Sequence, residues 1–212
     1  RLAYRVGFAL IAGDLLTGVL KSTCCVLRPW VRDPAILPVP RALGKAIGYS
    51  FPSGHAMNSA VLWGGVGAAV CRWWVWVPAL AWIALVGFSR LVLGVHTPLD
   101  VAGAWLLAVP VVWALGRVYD WTENHPAQAW RVLAGALLAA GAAWVFVKFK
   151  PMPPDADPGF SQDAFRSVWA MLGVYGGWFI ERRYIRYEPA KLGGYRMLAA
   201  AIGVLVLWLI IR

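Results

Sequence analysis

Two histidines, one carboxylate and three cations fall in three short islands of the chain: Lys21 with Arg28 and Pro29, Pro52-Ser53-Gly54-His55, and Ser89-Arg90 with His96 and Asp100. As patterns these are K-x6-R-P, P-S-G-H and S-R-x5-H-x3-D. A phosphoryl group in transfer spreads charge over its equatorial oxygens, and cations aimed at those oxygens stabilise it without a metal ion. Arg28 and Arg90 offer bidentate forks, and Lys21 offers a point charge. Ser53 stands before an apolar helical run and suits an N-cap. The backbone N–H groups from Gly54 onward then point at whatever precedes the helix, a position that favours phosphate.

His96 is followed by Thr97-Pro98-Leu99-Asp100, which reads as a Thr N-cap, Pro at the first helical position and a capping-box acid. The same carboxylate has a functional reading. Set against one imidazole nitrogen of His96, it fixes the tautomer and leaves the other nitrogen to attack phosphorus. His55 suits the general acid that protonates the departing oxygen and then the base that activates water, because imidazole titrates at about 6.5. Asp14 lies seven residues before Lys21, on the same helix face within an apolar stretch, and reads chiefly as a structural partner for a neighbouring polar group. Asp155, Asp157 and Asp163 read as solvated loop acids, and His125 as a turn residue without a role. Cys24, Cys25 and Cys71 lack the spacing of a metal or disulfide set and read as free thiols.

These residues must be positioned by elements built for lipid. The chain has 212 residues, is 60% hydrophobic and contains 14 Trp, too apolar a composition for a soluble domain of this length. Apolar stretches recur near 6–20, 56–70, 73–88, 98–118, 131–147, 167–180 and 196–211. A bilayer core takes about 20 helical residues, fewer where the membrane thins. The expected fold is therefore all-α, a polytopic transmembrane helical bundle of about seven spans with its site at one membrane face. The net charge of +10 is spread between the stretches, which fits membrane orientation and anionic lipid and argues against nucleic acid. Trp73, Trp74 and Trp76 beside Arg72 read as an interfacial belt. The chain starts at Arg1 without a signal-peptide pattern, so further residues are expected upstream.

If each stretch crosses once, segments 21–55, 89–97 and 148–166 share one side of the membrane, and all three islands meet there. The opposite side carries the run Glu181-Arg182-Arg183-Tyr184-Ile185-Arg186, which by the positive-inside rule is cytoplasmic. The islands then face outward. Proline-rich loops 22–52 and 149–165 are expected over the site or beside its mouth.

The eleven specified positions of the islands resemble the type 2 phosphatidic acid phosphatase superfamily, which includes glucose-6-phosphatase and the vanadium haloperoxidases. The resemblance implies residues 1–120 as a transmembrane phosphatase core and 121–212 as further helices of the same bundle. It also implies a metal-independent, cofactor-free hydrolase of membrane lipid phosphates working through a phosphohistidine. By that analogy His96 is the nucleophile, Asp100 its orienter and His55 the acid and base, while Lys21, Arg28, Ser53, Gly54 and Arg90 hold phosphate. Members commonly carry additional helices before the Lys motif, whereas one precedes it here. Candidate substrates at a bacterial plasma membrane are undecaprenyl diphosphate, phosphatidylglycerol phosphate, phosphatidic acid and lipid A, and the sequence chooses among neither these nor oligomeric states. The same residues would serve a phosphotransferase, and a lipid-phosphate binder or transporter would need only the cations.

Overall fold

The apolar stretches fold as helices whose ends are set by the residues between them. A computed structural model describes residues 1–44, 46–151, 153, 159, 161–186, 195, 198 and 201–203. Helix α1, Leu2–Cys24, stops at Cys25, whose left-handed backbone (φ 50°) turns its N–H onto the Lys21 carbonyl at 3.1 Å. Two single turns follow, α2 Pro29–Arg32 and α3 Pro40–Leu43, each opened by a proline whose missing N–H has no helical partner to lose. Helix α4, Gly54–Val70, ends at Cys71 in the same left-handed conformation, and α5 runs Trp73–Val92. Helix α6, Pro98–Asn124, opens with a complete capping box between Thr97 and Asp100. A 3-10 turn, Pro126–Gln128, leads into α7, Ala129–Phe149, and α8 runs Gln162–Ile180. No strand occurs among the described residues.

The chain divides into two compact units, Arg1–Gly177 and Trp178–Arg212. In the second, a π-helical turn, Glu181–Ile185, closes with the Arg186 N–H on the Glu181 carbonyl at 2.7 Å. The Arg182 guanidinium there lies over the Trp178 ring.

In the first unit α4 packs against α1, α5 and α6. Its buried face, Ala56, Met57, Ala60 and Val61, meets Ala9 of α1 and Val101, Ala104, Ala108 and Val111 of α6. Small side chains let helix backbones approach closely where lipid offers no hydrophobic drive to associate. The closest approach that matters for the site joins α1 to α8: a Cβ on Gly18 would sit 2.7 Å from the Ala164 Cα. Large apolar side chains face outward instead, among them Trp73, Leu80 and Phe88 of α5 and Leu106 and Trp113 of α6. That inversion suits a helix bundle solvated by lipid.

The expectation of about seven spans needs correction. Among the described residues, four segments are long and apolar enough to cross a membrane: Leu2–Arg32, Trp73–Val92, Pro98–Asn124 and Pro126–Phe149. Helix α4 has 17 residues, roughly 25 Å of rise, short of the usual bilayer core. Helix α8 begins earlier than its apolar stretch suggests, and its first two turns carry Asp163 and Arg166. Most of the stretch at 196–211 lies outside the described residues, as do Asp155 and Asp157.

Candidate active site

Each island is delivered by a helix end. Lys21 lies in the last turn of α1, buried, and Arg28 follows in extended conformation as the residue before α2. Rather than reaching outward, the Arg28 guanidinium folds into the protein. Its Nε donates to the Gly48 carbonyl at 2.9 Å, Nη2 to Ile47 at 3.0 Å and Nη1 to Val95 at 3.0 Å. Arg28 is thereby fixed between the loop before α4 and the turn before α6.

The same Nη1 lies 3.0 Å from His96 Nε2. A guanidinium can only donate, so Nε2 must accept, and the imidazole proton sits on Nδ1. On that side Ser50 Oγ stands at 3.4 Å and Asp100 Oδ2 at 3.6 Å. Asp100 is itself tightly held. Its Oδ2 accepts from Ser50 Oγ at 2.6 Å and from the Thr97 N–H at 2.6 Å. The capping and orienting readings of Asp100 therefore describe one geometry: the helix cap fixes the carboxylate that faces the histidine. Burial, with the Arg28 charge adding to it, draws the His96 imidazole down to about 4 against the opposing pull of Asp100. At neutral pH Nε2 thus carries a lone pair.

A cavity of about 870 Å³ opens in front of this arrangement. Lys21, Arg28, Gly54, His55, Arg90 and His96 all line it, so six residues from three islands share one space. His55, in the first turn of α4, is exposed to it. Arg90, in the last turn of α5, has its Nε 3.1 Å from Ser89 Oγ. Asp100 lies behind His96, 1% exposed. Ser53 takes the N-cap position of α4, yet its hydroxyl makes no cap and, fully buried behind the wall, finds no partner among the described residues. Its backbone N–H instead donates to the Asp100 carbonyl at 3.1 Å, tying the second island to the third.

Four contributors escaped the sequence reading. Ser50 supports Asp100 from a position with no motif spacing. Arg41, in α3, and Asp163 and Arg166, in α8, line the same cavity. Asp163 is not a solvated loop acid: its Oδ2 meets Lys21 Nζ at 2.7 Å, because the Gly18 and Ala164 contact brings the two helices together. Asp14 also lines the cavity and accepts from Asn58 Nδ2 at 2.7 Å, the polar neighbour expected for it. The proline-rich loops act beside the site, with Arg41 and Ile47 lining the cavity and Lys150 Nζ donating to the Ser22 carbonyl at the end of α1. The three cysteines are free, and His125 stacks on Trp121 at the far end of α6.

Among the described residues, then, a bundle of helices, several apolar and long enough to span a membrane, gathers the three islands around one cavity rich in charged groups. The chain belongs to the PAP2 superfamily, whose family model matches residues 2–124. Among curated proteins it is similar to an undecaprenyl-diphosphatase of Sulfolobus acidocaldarius, 35% identical over 109 residues. That alignment takes in 49% of this chain and 50% of the relative, so the match spans about half the length of each. No solved structure matches the chain.

Proposed function

We propose that the protein is a membrane lipid phosphatase that transfers a headgroup phosphoryl group to His96 and then to water. The observation that carries this reading is the Arg28, His96 and Asp100 arrangement, in which Nε2 faces Arg28 with its lone pair and Nδ1 faces the buried carboxylate. An arriving phosphate competes for Arg28 Nη1 and frees the lone pair as it binds. The Nε2–P bond then forms while the P–O bond to the leaving oxygen breaks, and its electron pair goes to that oxygen, which takes a proton from His55. His55, now neutral, draws a proton from water, whose oxygen attacks phosphorus, and the Nε2–P pair returns to His96. Lys21 and Arg90 hold the equatorial oxygens, and the N–H groups at the start of α4 face the same space.

The site lies at helix ends, where a lipid headgroup can enter while its tails stay in the bilayer. The name of the archaeal relative gives weight to a diphosphate headgroup. An outward-facing site remains an expectation from the charge pattern of the sequence, and the native thiols test it. Cys24 ends α1 at the site, whereas Cys71 follows the far end of α4, and both are exposed. A membrane-impermeant maleimide should label Cys24 and spare Cys71 in intact cells, and the reverse pattern would place the site inside. The direct test of function is phosphate release in detergent from a panel of lipid phosphates with EDTA present. Turnover that survives chelation is expected, and complete loss would contradict the mechanism.

A further inference from the structure

Arg41 and Arg166 lie outside the three islands, on two elements far apart in sequence, yet both line the motif cavity. Its other charges are largely committed. Lys21 is paired with Asp163, Asp14 with Asn58, and Arg28 with three carbonyls and His96. Among the described residues, neither Arg41 nor Arg166 has an ion pair or a side-chain hydrogen bond. The cavity, about 870 Å³, lies toward the upper end of the roughly 300–1,000 Å³ of pockets that enclose a whole ligand. Five cations and two carboxylates line it, an excess of positive charge beyond the about −2 of one phosphate monoester.

We propose that Arg41 and Arg166 form a second phosphate subsite, which makes the cavity selective for a lipid diphosphate over a lipid monophosphate. The inference rests on the phosphatase reading above and names its substrate class. The terminal phosphate occupies the island residues, and the inner phosphate, attached to the lipid, meets the two arginines. When the Nε2–P bond forms, the bridging P–O bond breaks and its electron pair stays on the inner phosphate, which becomes a lipid monophosphate with one more unit of charge. Arg41 and Arg166 oppose that developing charge, so their stabilisation grows as the bond breaks. Phosphate loses its last proton near pH 6, so this oxygen can leave without the proton that a monoester's alkoxide requires from His55.

The test is binding, separate from turnover. Methylenediphosphonate, whose P–C–P bridge resists attack, is titrated against methylphosphonate in neutral detergent with EDTA, using the full chain. Wild type should bind the diphosphonate at least about tenfold more tightly, the scale of one charge-assisted hydrogen-bond pair. In Arg41→Gln/Arg166→Gln that margin should shrink to about twofold, with methylphosphonate affinity unchanged. The charge-conserving pair Arg41→Lys/Arg166→Lys should fall between and guards against a folding defect in the first. No preference in wild type, a margin untouched in the Gln pair, or an equal loss for both probes would overturn the subsite. Failure of the phosphatase reading looks different: the diphosphonate preference would persist in a protein that releases no phosphate.

Discussion

His96 and the α8 wall face one cavity but are held in opposite ways. His96 is buried, clamped on one nitrogen by Arg28 and faced on the other by Ser50 and by Asp100, which a helix cap holds in place. Asp163 and Arg166 are more open to solvent and reach the cavity from a helix docked on α1 through Gly18 and Ala164. In the proposed mechanism the buried constellation makes the bond, and the open wall discriminates among headgroups. Substitutions in the first should act on kcat, those in the second on KM and selectivity.

The largest effect should come from His96→Ala, which removes the proposed attacking atom and should lower kcat on the order of 10⁴-fold while leaving the helical circular dichroism intact. Asp100→Asn should cost on the order of 10³-fold, part of it through the wrong imidazole tautomer. Retention of near wild-type kcat in either would move the chemistry away from the clamped region.

The pH profile sharpens the same side of the comparison. A lowered pKa means that His96 stays neutral as pH falls, so the acid limb of kcat/KM should lie near 4 rather than 6.5. Below it the lone pair is protonated and activity is lost. Arg28→Gln should move this limb to higher pH, because the guanidinium charge lowers the His96 pKa. Removing Asp100, which opposes that shift, should move it lower still. A limb that stays put in both variants would detach it from His96.

The smallest effect belongs to the wall. Asp163→Asn frees Lys21 from its carboxylate and should tighten inhibition by orthovanadate by about two- to fivefold, the scale of a partly exposed ion pair. The expected change in kcat is within about twofold. A collapse of kcat instead would make Asp163 part of the buried constellation and erase the contrast.

The division between the two regions also marks how much could be read from the chain. The islands were legible because Thr97, Pro98 and Asp100 are close in sequence, and because capping and orientation demand the same carboxylate. Arg28 was legible as a cation but not as the group that donates to His96, since its fold back onto Gly48, Ile47 and Val95 depends on a loop conformation that no spacing encodes. Ser50, Arg41 and Arg166 were missed and Asp163 was misread as a loop acid, because each reaches the site through tertiary placement that spacing does not encode. The last two enter through a helix contact made possible by one glycine and one alanine. The count of spans went wrong because hydropathy registers apolar composition, and α4 combines apolar composition with a length of only 17 residues. In α8 the apolar run hid a polar start that turned out to face the cavity.

The central claim is a double displacement through His96 Nε2, and the stereochemical course at phosphorus tests it most directly. A substrate whose terminal phosphorus is made chiral with sulfur and oxygen isotopes would be hydrolysed in isotopically labelled water and the product's configuration determined. Two in-line displacements, first by Nε2 and then by water, predict net retention. Net inversion would mean a single attack by water and would contradict the account.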